Sequence, residues 1–321
     1  MIILRTLGNL LLAIILVVII ALVLSTGCAV VLSQTWENAG IADGVESGDW
    51  VWVDEQPIYY RTWGSDEDPC LVLLHGFYVE GSQTWETNAQ ALADAKLRVI
   101  AVDLKGFGHS TRDTSIPYTL REQSILLAKV LNQLRAQEAI VVAHGWGCQV
   151  ALQLAYEQPQ FVSKLVLIAP LVDREMKLPW QPVAKVPYVG RAVAWGFASG
   201  GPLRTFIMQR RFYDRSALDG EALQEASQPT HIVGTLDAFL AMATSAKDDD
   251  LPEALSGIDF PVLVLLGEHD PWVTPDEGLS LRRNIPGAKE VIVPEVGHYP
   301  HLERSAEVNR HIQEFCQSDA G

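Results

Sequence analysis

The sequence predicts a mostly parallel α/β sheet of about eight strands with helices on both faces. Three observations carry this. Short, wholly apolar runs recur at residues 71–74, 99–102, 140–142, 165–168, 262–266 and 291–293, as expected for strands covered on both faces. Helical periodicity occupies several of the gaps, at 85–95, 120–134 and 148–156, and strands alternating with helices imply a parallel sheet. The alternation then stops. Residues 171–258 are helix-like, with scattered aromatics (Trp180, Tyr188, Trp195, Phe206, Phe212, Phe239) and no strand run. They read as a helical lid over the carboxyl edge of the sheet, where open α/β folds bind ligands.

In chain order, the first feature is an uncharged stretch between Arg5 and Glu37. Residues 10–32 within it are dominated by Leu, Ile and Val, and about 20 apolar residues span a bilayer core. A retained transmembrane anchor is therefore expected, with residues 1–9 as a short cytoplasmic N-terminus. Arg5 precedes the stretch and Glu37, Asp43, Glu46 and Asp49 follow it, which places the soluble domain on the extracytoplasmic side. Cleavage as a lipoprotein at Ser25-Thr26-Gly27-Cys28, or simple secretion, are the alternatives. The apolar run continues past Cys28 through Ala29-Val30-Val31-Leu32, which favours the anchor. Residues 33–48 read as a polar linker. Trp50-Val51-Trp52-Val53 and Ile58-Tyr59-Tyr60 read as strands around a turn at Asp54-Glu55-Gln56-Pro57. The core is expected over 49–170 and 259–316. Asp248-Asp249-Asp250 reads as a solvated loop, since no complementary ligand set flanks it.

Composition narrows the function. Lys and Arg total 24 against 39 Asp and Glu, a net charge of −15; so acidic a surface repels phosphate backbones and argues against nucleic-acid binding. Apolar residues make up 48%, and nine Trp are spread along the chain, which argues against long disorder. Cys28, Cys70, Cys148 and Cys316 have unrelated spacings and form neither a zinc pattern nor a disulfide framework.

Four segments each follow an apolar run, in this order: His75-Gly76-Phe77; Asp103-Leu104-Lys105-Gly106-Phe107-Gly108-His109-Ser110; Val142-Ala143-His144-Gly145-Trp146-Gly147-Cys148; and the pair Gly267-Glu268-His269-Asp270 with Gly297-His298-Tyr299-Pro300-His301. Together they resemble the α/β-hydrolase family over residues 50–315. The resemblance implies a nucleophile on a sharp strand-to-helix turn with small residues two before and two after it, then an acid, then a histidine. Ala143 and Gly147 are the small residues here, so the nucleophile position is Gly145, which has no side chain. Asp270 matches the acid and His298 the base. The backbone N–H groups of Phe77 and Trp146 would form the oxyanion hole. No cofactor and no metal are implied, and a His298/His301 metal pair lacks further ligands nearby in sequence. Cys148, with Trp146 and Val150 as its own neighbours, is expected to pack the helix against the sheet, and His144 to be structural.

The lost nucleophile is open between two branches. His144-Gly145-Trp146-Gly147 is similar to the Asp-nucleophile haloalkane dehalogenases and epoxide hydrolases, and Asp173 is a reserve acid for that branch. Ser110, Asp103 and Phe77-Tyr78 look esterase-like, and a Ser-type ancestor is favoured. The resemblance thus implies a hydrolase of small apolar esters or related substrates with weak or absent turnover. The alternatives are a non-catalytic ligand-binding or complex-subunit protein, or an engineered nucleophile mutant of an active esterase.

Overall fold

The computed structural model describes residues 2–318 apart from 46, 78–80, 172–180, 187, 200, 219–225, 246–254 and 286. Asp173, Trp180 and Asp248-Asp249-Asp250 lie outside the described residues.

Eight strands form one sheet in the order β1-β2-β4-β3-β5-β6-β7-β8. They are β1 (Asp49–Val53), β2 (Gln56–Trp63), β3 (Cys70–Leu74), β4 (Arg98–Val102), β5 (Ala139–His144), β6 (Val162–Ile168), β7 (Val262–Gly267) and β8 (Lys289–Val293). β1 pairs antiparallel with β2 and β2 with β4, whereas every pair from β4 across to β8 is parallel. The β1–β2 turn holds Asp54 and Glu55 at φ 48° and 63°, as a tight hairpin with right-handed twist requires. β3, β5 and β7 are buried almost throughout because helices cover both faces: α3 (Leu120–Gln133) and α4 (Gly147–Glu157) on one, α2 (Glu86–Asp94) and the C-terminal helix Ser305–Gln317 on the other. β3 connects onward to β4 on one side and its neighbour β5 connects onward to β6 on the other, so the chain leaves these adjacent strands in opposite directions and opens a crevice at their carboxyl ends.

Between β6 and β7 the described elements are helical. They are α5 (Gln181–Ala184), α6 (Val189–Ala198), α7 (Pro202–Gln209) and α8 (Thr235–Ser245), with short 3₁₀ turns. Ile232 in this segment forms an isolated bridge with Ala39.

The expected transmembrane helix, and with it the membrane-anchored extracytoplasmic placement and the membrane as a partner, is corrected. Residues 10–32 are helical within α1 (Ile2–Trp36), but among the described residues no helix is long and apolar enough to cross a membrane. A crossing needs about 20 consecutive apolar residues; Ser25, Thr26 and Gly27 interrupt the run. The end of α1 is also tied to the protein. Ser33 is buried, the Glu37 carboxylate pairs with Arg191 of α6 and accepts the Leu236 N–H at 2.7 Å, and the Trp36 ring stacks on His231 at 3.8 Å.

Candidate active site

The turn after β5 is set by close approach. Gly145 has φ +52°, and its N–H donates to the Ile168 carbonyl at 2.9 Å. A β-carbon on Gly147 would lie 2.3 Å from the His75 carbonyl oxygen, so α4 can start here only because no side chain is present. A β-carbon on Gly145 meets no such barrier: its nearest neighbours would be Nε2 of His298 at 3.7 Å and Cα of Gly76 at 3.9 Å.

His298 lies in the loop after β8. Its Nδ1 is 2.8 Å from Oδ2 of Asp270, in the loop after β7, and both side chains are almost fully buried. The other oxygen of Asp270 accepts the Trp272 and Val273 N–H groups at 2.7 and 3.0 Å, which fixes the carboxylate. A carboxylate only accepts, so Nδ1 of His298 carries the proton and Nε2 presents its lone pair toward Gly145. The structure thus brings Gly145, Asp270 and His298 together.

The residues expected to supply the oxyanion donors adjoin Gly145 and Gly76, whose Cα would lie 3.9 Å from a β-carbon on Gly145. Trp146 is the N-cap residue of α4, Phe77 follows His75-Gly76 just after β3, and their rings meet edge-on at 6.1 Å. Among the described residues neither backbone N–H has an acceptor. His75 positions this loop: its Nε2 accepts the Leu104 N–H at 3.0 Å, so Nδ1 carries the proton and donates to Gly76 O at 2.6 Å. Asp103 organises the second segment by accepting the Ser82 and His109 N–H groups at 2.5 and 2.7 Å.

Other candidates are structural. His144 Nε2 donates to the His298 carbonyl at 2.8 Å, and burial, then His301 and His298, hold its pKa well below the usual value. His301 is buried against Trp85 with Nε2 at 3.1 Å from Thr84 Oγ1; burial, then His298, lowers it to about 3. Cys148 is fully buried, its thiol directed at the Ala143 carbonyl at 3.2 Å, and burial raises its pKa strongly. Among the described residues no group of His, Cys, Asp and Glu could hold a metal ion.

Two neighbours were not singled out from sequence. The ring of Trp272, two residues after Asp270, is centred 5.4 Å from that of His298. The Arg211 carbonyl, just after α7, accepts the His298 N–H at 2.7 Å. Trp272 could have been found from its nearness to the acid, whereas Arg211 comes from a distant segment with no local signal.

Comparison with known proteins agrees with this fold. The family described as "alpha/beta hydrolase fold" matches residues 69–305. The chain is 25% identical over 266 residues to the "Uncharacterized hydrolase YugF" of Bacillus subtilis, covering 83% of this chain and 96% of that one. It is 25% identical over 264 residues to the pimeloyl-[acyl-carrier protein] methyl ester esterase of Vibrio campbellii, covering 81% and 98%. A thermophilic esterase from Thermogutta terrifontis superposes with a TM-score of 0.69 at 22% identity, covering 86% of this chain and all of that one, 100%; at that identity the likeness concerns the fold.

Proposed function

We propose, because this chain belongs to the α/β-hydrolase family, that His298, Asp270 and the space over Gly145 form a site for small apolar esters or related substrates. The observation that carries this reading is the aim of His298. Its Nε2 lies 3.7 Å from where a side chain on Gly145 would begin, and Asp270 holds its Nδ1. The esterase relative supports an ester as the substrate class.

Chemistry follows from what is present and what is missing. An ester carbonyl oxygen would accept from the Phe77 and Trp146 N–H groups, which stabilise the charge that develops on it. Gly145 offers no nucleophile. A water in its place would attack the carbonyl carbon while His298 Nε2 takes its proton, and Asp270 would stabilise the imidazolium. The proton then passes to the departing alkoxide. Loss of a triad nucleophile costs about 10⁶ in rate, and the remaining hole and binding supply roughly 10³–10⁴ over water. Turnover is therefore expected to be weak.

The missing side chain also favours a second reading, a ligand-binding protein on the same scaffold. One panel separates the two: short-chain esters, epoxides and haloalkanes given to this chain, to Gly145→Ser and to Gly145→Asp. Ester turnover gained by Gly145→Ser supports the hydrolase site with a Ser ancestor; gain on haloalkanes or epoxides by Gly145→Asp supports the other branch. Tight binding of a small apolar ligand with no turnover by any of the three would support the binding protein.

A further inference from the structure

Arg211 stands one ring away from His298. Its guanidinium carbon lies 3.5 Å over the centre of the Trp272 ring, whose own centre is 5.4 Å from that of the imidazole. Nη1 donates to Tyr299 Oη at 3.1 Å and approaches Met208 Sδ at 3.9 Å. The opposite edge is unused: Nε is buried without an acceptor, and among the described residues Nη2 has none either. That edge, with Nε–H and Nη2–H parallel, is the fork that grips a carboxylate with two hydrogen bonds.

Several of the chain's other arginines have carboxylate partners. Arg191 pairs with two carboxylates, and Arg61, Arg98, Arg121, Arg304 and Arg310 with one each. Arg112, more deeply buried than Arg211, donates to four carbonyls and the Thr235 hydroxyl. No ion pair among the described residues involves Arg211. Burial first, then Arg204, lowers its proton affinity, and only Asp270 acts the other way. A largely desolvated cation left without an ion-pair partner is costly. An incoming anion would remove that cost, in a protein whose net charge of −15 otherwise repels anions.

We propose that Arg211, held over the Trp272 ring, is a specificity residue for a carboxylate carried by the substrate, so that the site takes half-esters of dicarboxylic acids in preference to neutral esters. This rests on the ester-site reading above and deepens it: an apolar chain would run from the carbonyl beside Gly145 to a carboxylate at Arg211.

The test is calorimetric binding of monomethyl glutarate and dimethyl glutarate to the unmodified chain, to Arg211→Gln and to Arg211→Lys. The expected result is at least tenfold tighter binding of the half-ester, a preference that shrinks with added salt. Arg211→Gln should reduce it below twofold with the diester unaffected, and Arg211→Lys should retain part of it. Equal binding of the two esters by the unmodified chain overturns the proposal, as does a preference that survives Arg211→Gln. If Arg211→Gln does not fold, Arg211→Lys decides: an undiminished preference overturns the fork. The same pair is then given to Gly145→Ser. If that variant hydrolyses neither ester, the hydrolase reading fails, while the binding comparison still decides the carboxylate site.

Discussion

A β-carbon on Gly145 would stand 3.7 Å from Nε2 of His298, on a backbone whose φ is +52°. The distance and the dihedral pull in opposite directions. The distance means that a hydroxyl one bond further out could reach the imidazole. The dihedral means that any side chain here sits in the left-handed region, which costs about 1–3 kcal/mol and which Gly occupies freely. Replacing a nucleophile by Gly would thus gain stability and lose chemistry at one position.

Gly145→Ser should therefore lower stability by about 1 kcal/mol, because the Cβ meets no clash and only the dihedral is strained. It should raise activity on short-chain esters by several orders of magnitude. Denaturant melts and initial rates check both halves. A variant more stable than the parent would show that the turn does not strain its central residue.

In the Gly145→Ser background, Asp270→Asn should lower kcat by about 10⁴, as loss of the acid does where it fixes the histidine tautomer. Asp270 also accepts two backbone N–H groups, from Trp272 and Val273, and Asn keeps one acceptor for them. The loss should therefore appear in kcat with little change in melting temperature. A kcat within tenfold of the parent would mean that the histidine is oriented by something else.

How much could be read from sequence differs by element. All eight strands were visible as apolar or alternating runs, because each buries a face and burial dictates side-chain type. The α4 turn was visible because Gly147 answers a close approach by the His75 carbonyl. The end of α1 was not visible, since the ties of Trp36 and Glu37 to His231 and Arg191 join residues over 150 positions apart. Apolar periodicity reports burial, and it does not say what does the burying. Arg211 was hidden for a related reason: only the folded chain brings its carbonyl to the His298 N–H.

Acid should destabilise the protein through two buried histidines. His144 and His301 are held below the ordinary histidine value of 6.5, chiefly by burial, and His301 falls to about 3. Between those values the unfolded chain binds protons that the folded chain does not, so stability rises with pH and falls as pH drops. Each histidine contributes a slope of up to about 1.4 kcal/mol per pH unit. The His301 share should be fully present above pH 6.5 and lost progressively toward pH 3. His301→Gln should flatten the curve of melting temperature against pH in that window; an unchanged slope would contradict a neutral, buried His301.

Cys148 should be chemically silent. Its thiol is buried, donates to the Ala143 carbonyl, and is pushed toward the neutral form by burial, and only a thiolate reacts with alkylating agents. Iodoacetamide should leave Cys148 unmodified in the folded protein and label it in denaturant, while the exposed Cys28 reacts in both. Protection is read by peptide mass spectrometry. Rapid labelling of Cys148 in the folded state would place a reactive thiol beside the site.

The last prediction concerns the tie between α1 and the segment joining β6 to β7. Arg191 holds the buried Glu37 carboxylate, the exposed Asp237 at 2.7 Å and the Ser33 hydroxyl at 3.3 Å. Arg191→Ala leaves Glu37 buried with the Leu236 N–H as its remaining hydrogen-bond donor. Breaking a buried pair by removing one partner costs about 3–5 kcal/mol, and partial exposure of Arg191 puts the expected cost at about 2–3 kcal/mol. The cost falls on one junction, so it should appear as local opening. Amide exchange at Leu236 and at Val233, which donates to the Ala39 carbonyl, should accelerate about 30-fold or more, while amides of β5 keep their protection. Glu37→Gln, which keeps an oxygen for Leu236, should have a smaller effect. If Leu236 exchanges at the parent rate in Arg191→Ala, the ion pair does not hold α1 on this segment.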